Sequence, residues 1–371
     1  MKRARKPELS RRTFLKATAA GALAFSAMPA IIVPRRVAAY EPGGRLHPNI
    51  DPLRVAGLQD PAMTTAEAIR SNWSRQEKLV ARDVVQANMD ALACALAEER
   101  AAADAWKAIF VKPPGKSRSD VVVGIKTNNF GLLHTHSAVM SKICHVLTGN
   151  LGVRGSNIHV YDACHGADLA RKTPFTGLPE GVNLQNKWGG SNLETAIPVP
   201  YQDGQRKATC LGHLVTGEVD ILVNIAVCKG HEAKFGGFTM CMKNHFGTFD
   251  PKLSHRGGGQ QDYLFAINKA PEILGAMDPK TGSVLFPRQQ LCIVDSLWAV
   301  APNARSAATH QPNALFMGAF APTVDFLVAT RFRKGQMGWS LHPQVTGRFL
   351  SEFGIAEADL PNGGRIVDAL S

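Results

Sequence analysis

A buried β-strand is indicated by Val121-Val122-Val123-Gly124-Ile125, a continuous apolar run that stops at the polar loop Lys126-Thr127-Asn128-Asn129. The residues after this loop carry apolar side chains at helical spacing, and a second apolar run follows at Ile158-His159-Val160-Tyr161-Asp162. Strand, helix and strand in this order predict a βαβ unit with two parallel strands. The helical side chains are Val139, Ile143, Val146 and Leu147.

Two more continuous apolar runs, at residues 221–227 and 291–295, have the composition of strands covered on both faces. We therefore predict an α/β fold, with a mostly parallel sheet and helices on both faces. Between Ala66 and Phe110 apolar residues recur at helical spacing, which predicts long N-terminal helices that end at the Pro-Pro-Gly segment 113–115.

The N-terminus has the layout of a signal for twin-arginine export. Ser10-Arg11-Arg12-Thr13-Phe14-Leu15-Lys16 follows a basic start and precedes a weakly hydrophobic segment, residues 17–33. Small residues precede Tyr40, so we expect cleavage near Ala39 and a periplasmic, secreted protein whose export partner is the twin-arginine translocase. The predicted organisation is a signal at 1–39, a lead-in and helical segment at 40–115, and an α/β domain at 116–371.

Net charge excludes one class of partner. The formal charge of +12 falls to +4 without residues 1–39, which hold nine Lys or Arg and one acidic residue. So small an excess, without a basic block, makes nucleic acid an unexpected partner. The mature part contains no apolar run of about 18 residues, so we expect no membrane span. Seven scattered cysteines form no C-x-x-C motif.

Polar residues stand where the predicted strands stop, at Lys126, Asp162, Lys229 with His231, and Asp295. Ligands of open α/β sheets bind beyond the carboxyl ends of the strands, where connecting loops converge. These loops are therefore the candidate site for a ligand.

Ionisable side chains are most concentrated in residues 228–247, where three lysines and two histidines surround Gly236-Gly237. This pattern favours an anionic or metal-bearing ligand, and a solvated structural loop is the alternative. We assign catalytic roles to His231, Lys243 and Asp295. The predicted ligand- or cofactor-binding residues are Lys126, Asn128, Lys229, Gly236, Gly237 and Asn244. The predicted metal ligands are His245 and His255.

Residues 120 to about 330 resemble the family called domain of unknown function 362. The resemblance rests on Gly124-Ile125-Lys126-Thr127-Asn128, Val160-Tyr161-Asp162, Lys229-Gly230-His231, Lys243-Asn244-His245-Phe246-Gly247 and Ile293-Val294-Asp295, with residues 219–224 between them. Members of the family often carry ferredoxin-type cysteine motifs and twin-arginine signals. The resemblance implies a redox-associated protein with a redox partner protein, although this chain lacks those cysteine motifs.

A more distant similarity is to nickel-pincer lactate racemases. An acidic residue, a buried strand, a histidine and a G-F-S-x-x-x-K-like run occur here in the same order, as Asp220, residues 221–227, His231, and Gly237-Phe238-Thr239 with Lys243. The similarity implies that Lys243 holds a nickel cofactor and that His231 does acid/base work on a 2-hydroxy acid.

Together these patterns predict an exported, cofactor- or metal-dependent enzyme that acts on an anionic small molecule. Oxidoreductase chemistry is favoured, and the cofactor would be nickel, iron or an iron–sulfur-associated group. The alternatives are a racemase or epimerase that transfers a proton or hydride, and a periplasmic binding protein for an acidic ligand or metal.

Overall fold

The computed structural model describes residues 46–370, apart from 165, 187, 189–191, 198–206, 256–259, 279, 282 and 302. The predicted export signal at 1–39 lies outside the described residues. Within them, thirteen strands are defined: β1 Val55–Gln59, β2 Val123–Lys126, β3 Ile158–Tyr161, β4 Asn183–Gln185, β5 Leu193–Ala196, β6 Lys207–Cys210, β7 Ile221–Gly230, β8 Phe238–Thr239, β9 Gly275–Met277, β10 Val284–Pro287, β11 Gln289–Val300, β12 Ala314–Gly318 and β13 Val367–Asp368.

The central sheet has the order β13-β1-β12-β11-β7-β2-β3-β4, with β8 paired to the end of β7. Strands β11, β7, β2, β3 and β4 are all parallel to their neighbours in this series, and β12 is antiparallel to both β11 and β1. The predicted α/β fold with a mostly parallel sheet is confirmed. The pairs β5–β6 and β9–β10 form separate two-stranded sheets.

Side chains of the central strands alternate between two apolar layers. Val123, Ile125 and Ile225 face one layer, and Leu222 and Ala226 face the other. This alternation follows from the two-residue period of a strand. Because both layers are covered, the strands read as continuous apolar runs in the sequence.

Helices cover both layers. Those beside the first are Arg82–Ala97, Ala102–Ile109 and Ser137–His145, and those beside the second are Cys241–Asn244, Gln260–Asn268, Ala321–Leu327 and Pro343–Ser351. Shorter helices are Trp73–Gln76, Leu169–Lys172, Gly212–Val215, Lys252–His255, Pro271–Leu274 and Pro361–Gly364, and Val146–Asn150 and Val328–Lys334 are π-helical.

Upstream of the parallel sheet, residues 66–110 contain the short helix Trp73–Gln76 and two longer helices, Arg82–Ala97 and Ala102–Ile109. The longer, Arg82–Ala97, buries Val85, Met89, Leu92 and Leu96, which lie on one helical face. It ends at Glu98, whose φ of 57° is left-handed. No described helix is long and apolar enough to cross a membrane.

Candidate functional site

The carboxyl ends of β2, β3 and β7 meet at one edge of the sheet. Lys126 at the end of β2 pairs in register with Tyr161 on one side and Asn224 on the other, and β7 continues to Lys229 and Gly230. The topology therefore brings the loops after these strands together, as expected for parallel neighbours.

Lys126 is buried and surrounded by acceptors. Its Nζ donates to Thr127 O at 2.5 Å and Asn244 Oδ1 at 3.0 Å, and lies 3.2 Å from Asp162 Oδ1. The Asp162 carboxylate also accepts the backbone N–H groups of Asn129 and Cys164. All three ammonium protons thus have protein partners, so this predicted ligand-binding lysine acts as a structural cross-link.

Asn244 extends this cross-link between strands and helix. Its Oδ1 accepts from Lys126 and from Asn128 Nδ2, while its Nδ2 donates to Asn224 Oδ1 and Ile225 O. Every polar atom of the side chain is satisfied by protein. Asn244 therefore positions the helix Cys241–Asn244 against β7 and β2.

Lys229 is buried on the same edge but has fewer partners. Its Nζ donates to Asn128 Oδ1 and Phe130 O, each at 2.5 Å, and has no carboxylate partner among the described residues. Burial lowers the pKa of Lys229 to about 7. One ammonium proton remains for a ligand when the lysine is charged.

Lys243 is half-buried and lies against two aromatic rings. Its Nζ is 4.2 Å from the ring centre of Phe246 and 4.5 Å from that of Phe235. No described group accepts a hydrogen bond from this Nζ. Burial lowers the pKa of Lys243 to about 7, so a neutral amine is accessible near physiological pH.

His231 contacts the same ring as Lys243. Its imidazole meets Phe235 edge to face, with 4.8 Å between ring centres. Its Nδ1 accepts the backbone N–H of Glu232 at 2.8 Å, which leaves the proton of the neutral ring on Nε2. The structure thus places two predicted catalytic side chains, His231 and Lys243, against Phe235.

Gly236 and Gly237 form the turn that carries this histidine. Both have φ of +88°, a conformation that other residues rarely adopt. A Cβ at Gly237 would lie 3.3 Å from Ser340 O, and one at Gly236 would lie 3.0 Å from Phe238. Their backbone approaches protein rather than open space, so both glycines serve the turn.

Cys164 adds a half-buried thiol to the edge. It lies within electrostatic range of Lys126, Lys229 and Lys243, and follows Asp162 in the chain. Burial and the Asp162 carboxylate raise the pKa of Cys164 to about 12, which keeps the thiol protonated.

Asp295, the third predicted catalytic residue, lies on the other face of the sheet. Its Oδ2 accepts from His136 N at 2.8 Å and His136 Nδ1 at 2.9 Å. Burial opposes a charge on His136, but the Asp295 carboxylate outweighs it and the pKa of His136 is raised. Because His136 precedes the helix Ser137–His145, this pair anchors that helix instead of joining Lys243 and His231.

His245, a predicted metal ligand, is fully buried with both ring nitrogens hydrogen-bonded. Nε2 donates to Gln289 Oε1 at 2.7 Å, and Nδ1 lies 3.1 Å from Thr248 Oγ1. Burial lowers the pKa of His245 to about 3, so the ring is neutral. These contacts give the imidazole a structural role in the core. The side chain of His255, the other predicted ligand, lies outside the described residues.

The described residues do not fit a metal or iron–sulfur cofactor. In that part of the chain, no three His, Cys, Asp or Glu side chains are grouped so that they could hold a metal ion. All seven cysteines are described and free. We therefore derive no chemistry through such a group.

Comparison with known families gives one result. A family model described as domain of unknown function (DUF362) matches residues 122–343, which is more than half of the chain. The chain belongs to the DUF362 family. The DUF362 match contains β2 to β12, and therefore the whole candidate edge. Comparison with curated proteins and with solved structures found no match.

The residues that surround His231 and Lys243 could not readily be recognised as site residues from the sequence. Phe235 and Phe246 read as ordinary core aromatics, and Asn224 is hidden inside an apolar strand run. A polar residue inside such an apolar run could have identified Asn224, because a buried amide must have hydrogen-bond partners. No local signal marks the aromatic residues.

Proposed function

We propose that this DUF362 protein is an enzyme that transfers a proton to or from a small anionic molecule at the carboxyl edge of its sheet. His231 and Lys243 are the proton-transfer groups, and Lys229 supplies further positive charge. One observation carries the proposal: the Lys243 amine lies on two aromatic rings without a hydrogen-bond acceptor among the described residues, and His231 packs on one of those rings.

The electrostatics of the edge support an anionic ligand. The positive charge of Lys126 is neutralised by Asp162, whereas Lys229 and Lys243 have no paired carboxylate in the described part of the chain. Two buried or half-buried amines that lose their protons near neutral pH are poised to gain them when an anion binds. A lysine with a pKa of about 7 is also well matched to acid/base work.

The test is hydrogen exchange into ligand carbon positions. The full chain is incubated in heavy water with 2-hydroxy acids, keto acids and phosphate esters, and exchange and turnover are followed by NMR. We expect His231→Gln and Lys243→Met each to reduce the rate by about 10²–10⁴-fold while the thermal transition is kept. The control is His145→Gln, an exposed histidine that bonds to Gly177 O. Full rates in both site variants would refute the proposal.

A binding protein for an acidic ligand remains the second proposal, because the same unpaired lysines would serve it. It differs in one observable: ligands would stabilise the protein without exchange or turnover. Redox chemistry with a partner protein also remains a proposal, and it rests on the resemblance of the sequence to redox-associated proteins.

Export remains a proposal as well. It is supported by the paired arginines Arg11 and Arg12 between a basic start and an apolar segment. A periplasmic location would place the site where small exogenous anions arrive.

A further inference from the structure

Arg333 is a fully buried cation that the proposed function does not use. It is the next-to-last residue of the segment Val328–Lys334 and is 1% exposed, among the largest fully buried side chains of the described chain. Its Nη1 lies 3.4 Å from Cys228 Sγ, and its guanidinium lies 4.2 Å from the ring centre of Trp339.

The guanidinium lacks the partners that a buried arginine normally has. Its Nε is inaccessible and has no hydrogen-bond partner, and no described carboxylate pairs with it. A guanidinium has five N–H donors, and among the described residues only one acceptor, the weakly accepting Cys228 thiol, makes a hydrogen bond with it. An arginine cannot relieve the cost of burial by losing its proton, so an unpaired one is strongly unfavourable.

The surrounding residues fix the guanidinium without neutralising it. Trp339 Nε1 donates to His310 Nε2 at 3.4 Å, and the two rings meet at 4.6 Å. The pKa of His310 is lowered by burial and by the charge of Arg333. The cluster of Arg333, Trp339, His310 and Cys228 therefore holds an uncompensated positive charge.

Two segments of the chain connect this cluster to the candidate site. Cys228 lies in β7 three residues before His231. The residues after Trp339 pack on the turn that carries His231, since His342 N donates to Gly236 O at 3.1 Å. The residues that join Arg333 to Trp339 in the chain, 334–338, are exposed or half-exposed, so the pair lies just below the surface.

We propose that Arg333 binds an oxyanion group of the ligand, a carboxylate or phosphate whose two oxygens face the planar guanidinium fork. The inference rests on the proposed function in assuming a small anionic ligand at this edge. It deepens that proposal by giving the ligand's charged group a receptor apart from Lys243. The planar guanidinium can donate two parallel hydrogen bonds to the two oxygens of such a group, whereas a lysine ammonium cannot.

The experiment measures binding of malonate and inorganic phosphate to the full chain by calorimetry and thermal unfolding, with malonamide as the neutral control. We expect at least one of the anions to bind and raise the unfolding temperature, and malonamide to have no effect. Arg333→Met should be at least as thermostable as the natural protein without anion, because it removes an unpaired buried charge. The same variant should lose at least 100-fold in anion affinity, and Arg333→Lys at least 10-fold.

If Arg333 has only a structural role, its replacement should lower the thermostability and leave the anion affinity unchanged. Lower thermostability of Arg333→Met with unchanged anion affinity would overturn the inference, and so would failure of both anions to bind the natural protein. If Arg333→Met does not fold, unchanged anion affinity in Arg333→Lys overturns the inference.

Two further outcomes separate this inference from the proposed function. If anion binding is lost in Lys243→Met but kept in Arg333→Met, only the proposed function is supported. Binding lost in Arg333→Met, with full turnover in His231→Gln and Lys243→Met, would leave only the Arg333 inference.

Discussion

Three lysines at the carboxyl edge differ in the number of acceptors around each ammonium. Lys126 has three, Lys229 has two, and Lys243 has two aromatic rings in place of any described acceptor. Identical side chains at one edge of the sheet, two on strands and one on a helix, thus have different roles. A lysine with saturated protons positions other groups, whereas one without acceptors is left to meet a ligand.

Gly247 makes the buried Lys126–Asp162 pair possible. A Cβ at this position would lie 2.2 Å from Asp162 Oδ1 and 2.6 Å from Lys126 Cε. We expect Gly247→Ala to lower the free energy of unfolding by about 1–3 kcal/mol, since the buried Lys126–Asp162 ion pair must move to admit the methyl group. Chemical denaturation measures the effect.

The matched control for this change is Gly347→Ala. Gly347 lies inside the helix Pro343–Ser351, and a Cβ there would meet no atom within 4 Å. Alanine should stabilise this helix by about 0.5–1 kcal/mol. Equal effects of the two substitutions would show that the close approach at Gly247 has no energetic consequence.

At the scale of elements, the short helix Cys241–Asn244 depends on a carboxylate from another helix. Asp325 accepts the backbone N–H groups of Cys241 and Met242, each at 2.8 Å. These are donors that a helix start leaves without partners. The contact fixes the helix that carries Lys243 and Asn244.

Asp325 makes stability depend on pH. Burial raises the pKa of Asp325 from 3.8 to about 7 in the folded protein. The folded state therefore binds a proton more tightly, so the associated stability is present below pH 4 and is lost as pH rises to 7. From pH 5 to 8, we expect the unfolding free energy of the natural protein to fall by about 2–3 kcal/mol relative to Asp325→Asn.

The measurement is urea denaturation of both proteins across that pH range. Asp83→Asn serves as the control, because Asp83 is an exposed residue in the first turn of the helix Arg82–Ala97. Parallel pH profiles for the natural protein and Asp325→Asn would contradict the assignment.

At the scale of the whole molecule, the excess positive charge is concentrated in the predicted export signal. Most of the excess positive charge lies in residues 1–39, and the remainder of the chain is close to balanced. We expect Arg11→Lys with Arg12→Lys to hold the protein in the cytoplasm, because the pathway recognises the arginine pair rather than its charge.

Cell fractionation tests this export prediction. The control is Arg35→Lys with Arg36→Lys, a pair of the same charge outside the recognised motif. Undiminished periplasmic yield from the Arg11 and Arg12 variant would argue against twin-arginine export.

The sequence by itself determined the α/β class and the positions of its central strands. Apolar runs at residues 121–125, 158–162, 221–227 and 291–295 correspond to β2, β3, β7 and β11 within a few residues. This information is local, because burial on both faces leaves a continuous apolar pattern in each strand. The loops at the strand ends were predictable for the same reason.

Only the tertiary structure decided which polar residues share a site. The helix Cys241–Asn244 packs on one face of the sheet and places Asn244 on Lys126, whereas Asp295 lies on the other face beside His136. No sequence pattern singled out Arg333, yet the fold buries it beside Trp339. Charge pairing and burial depend on residues far apart in the chain, so no local pattern encodes them.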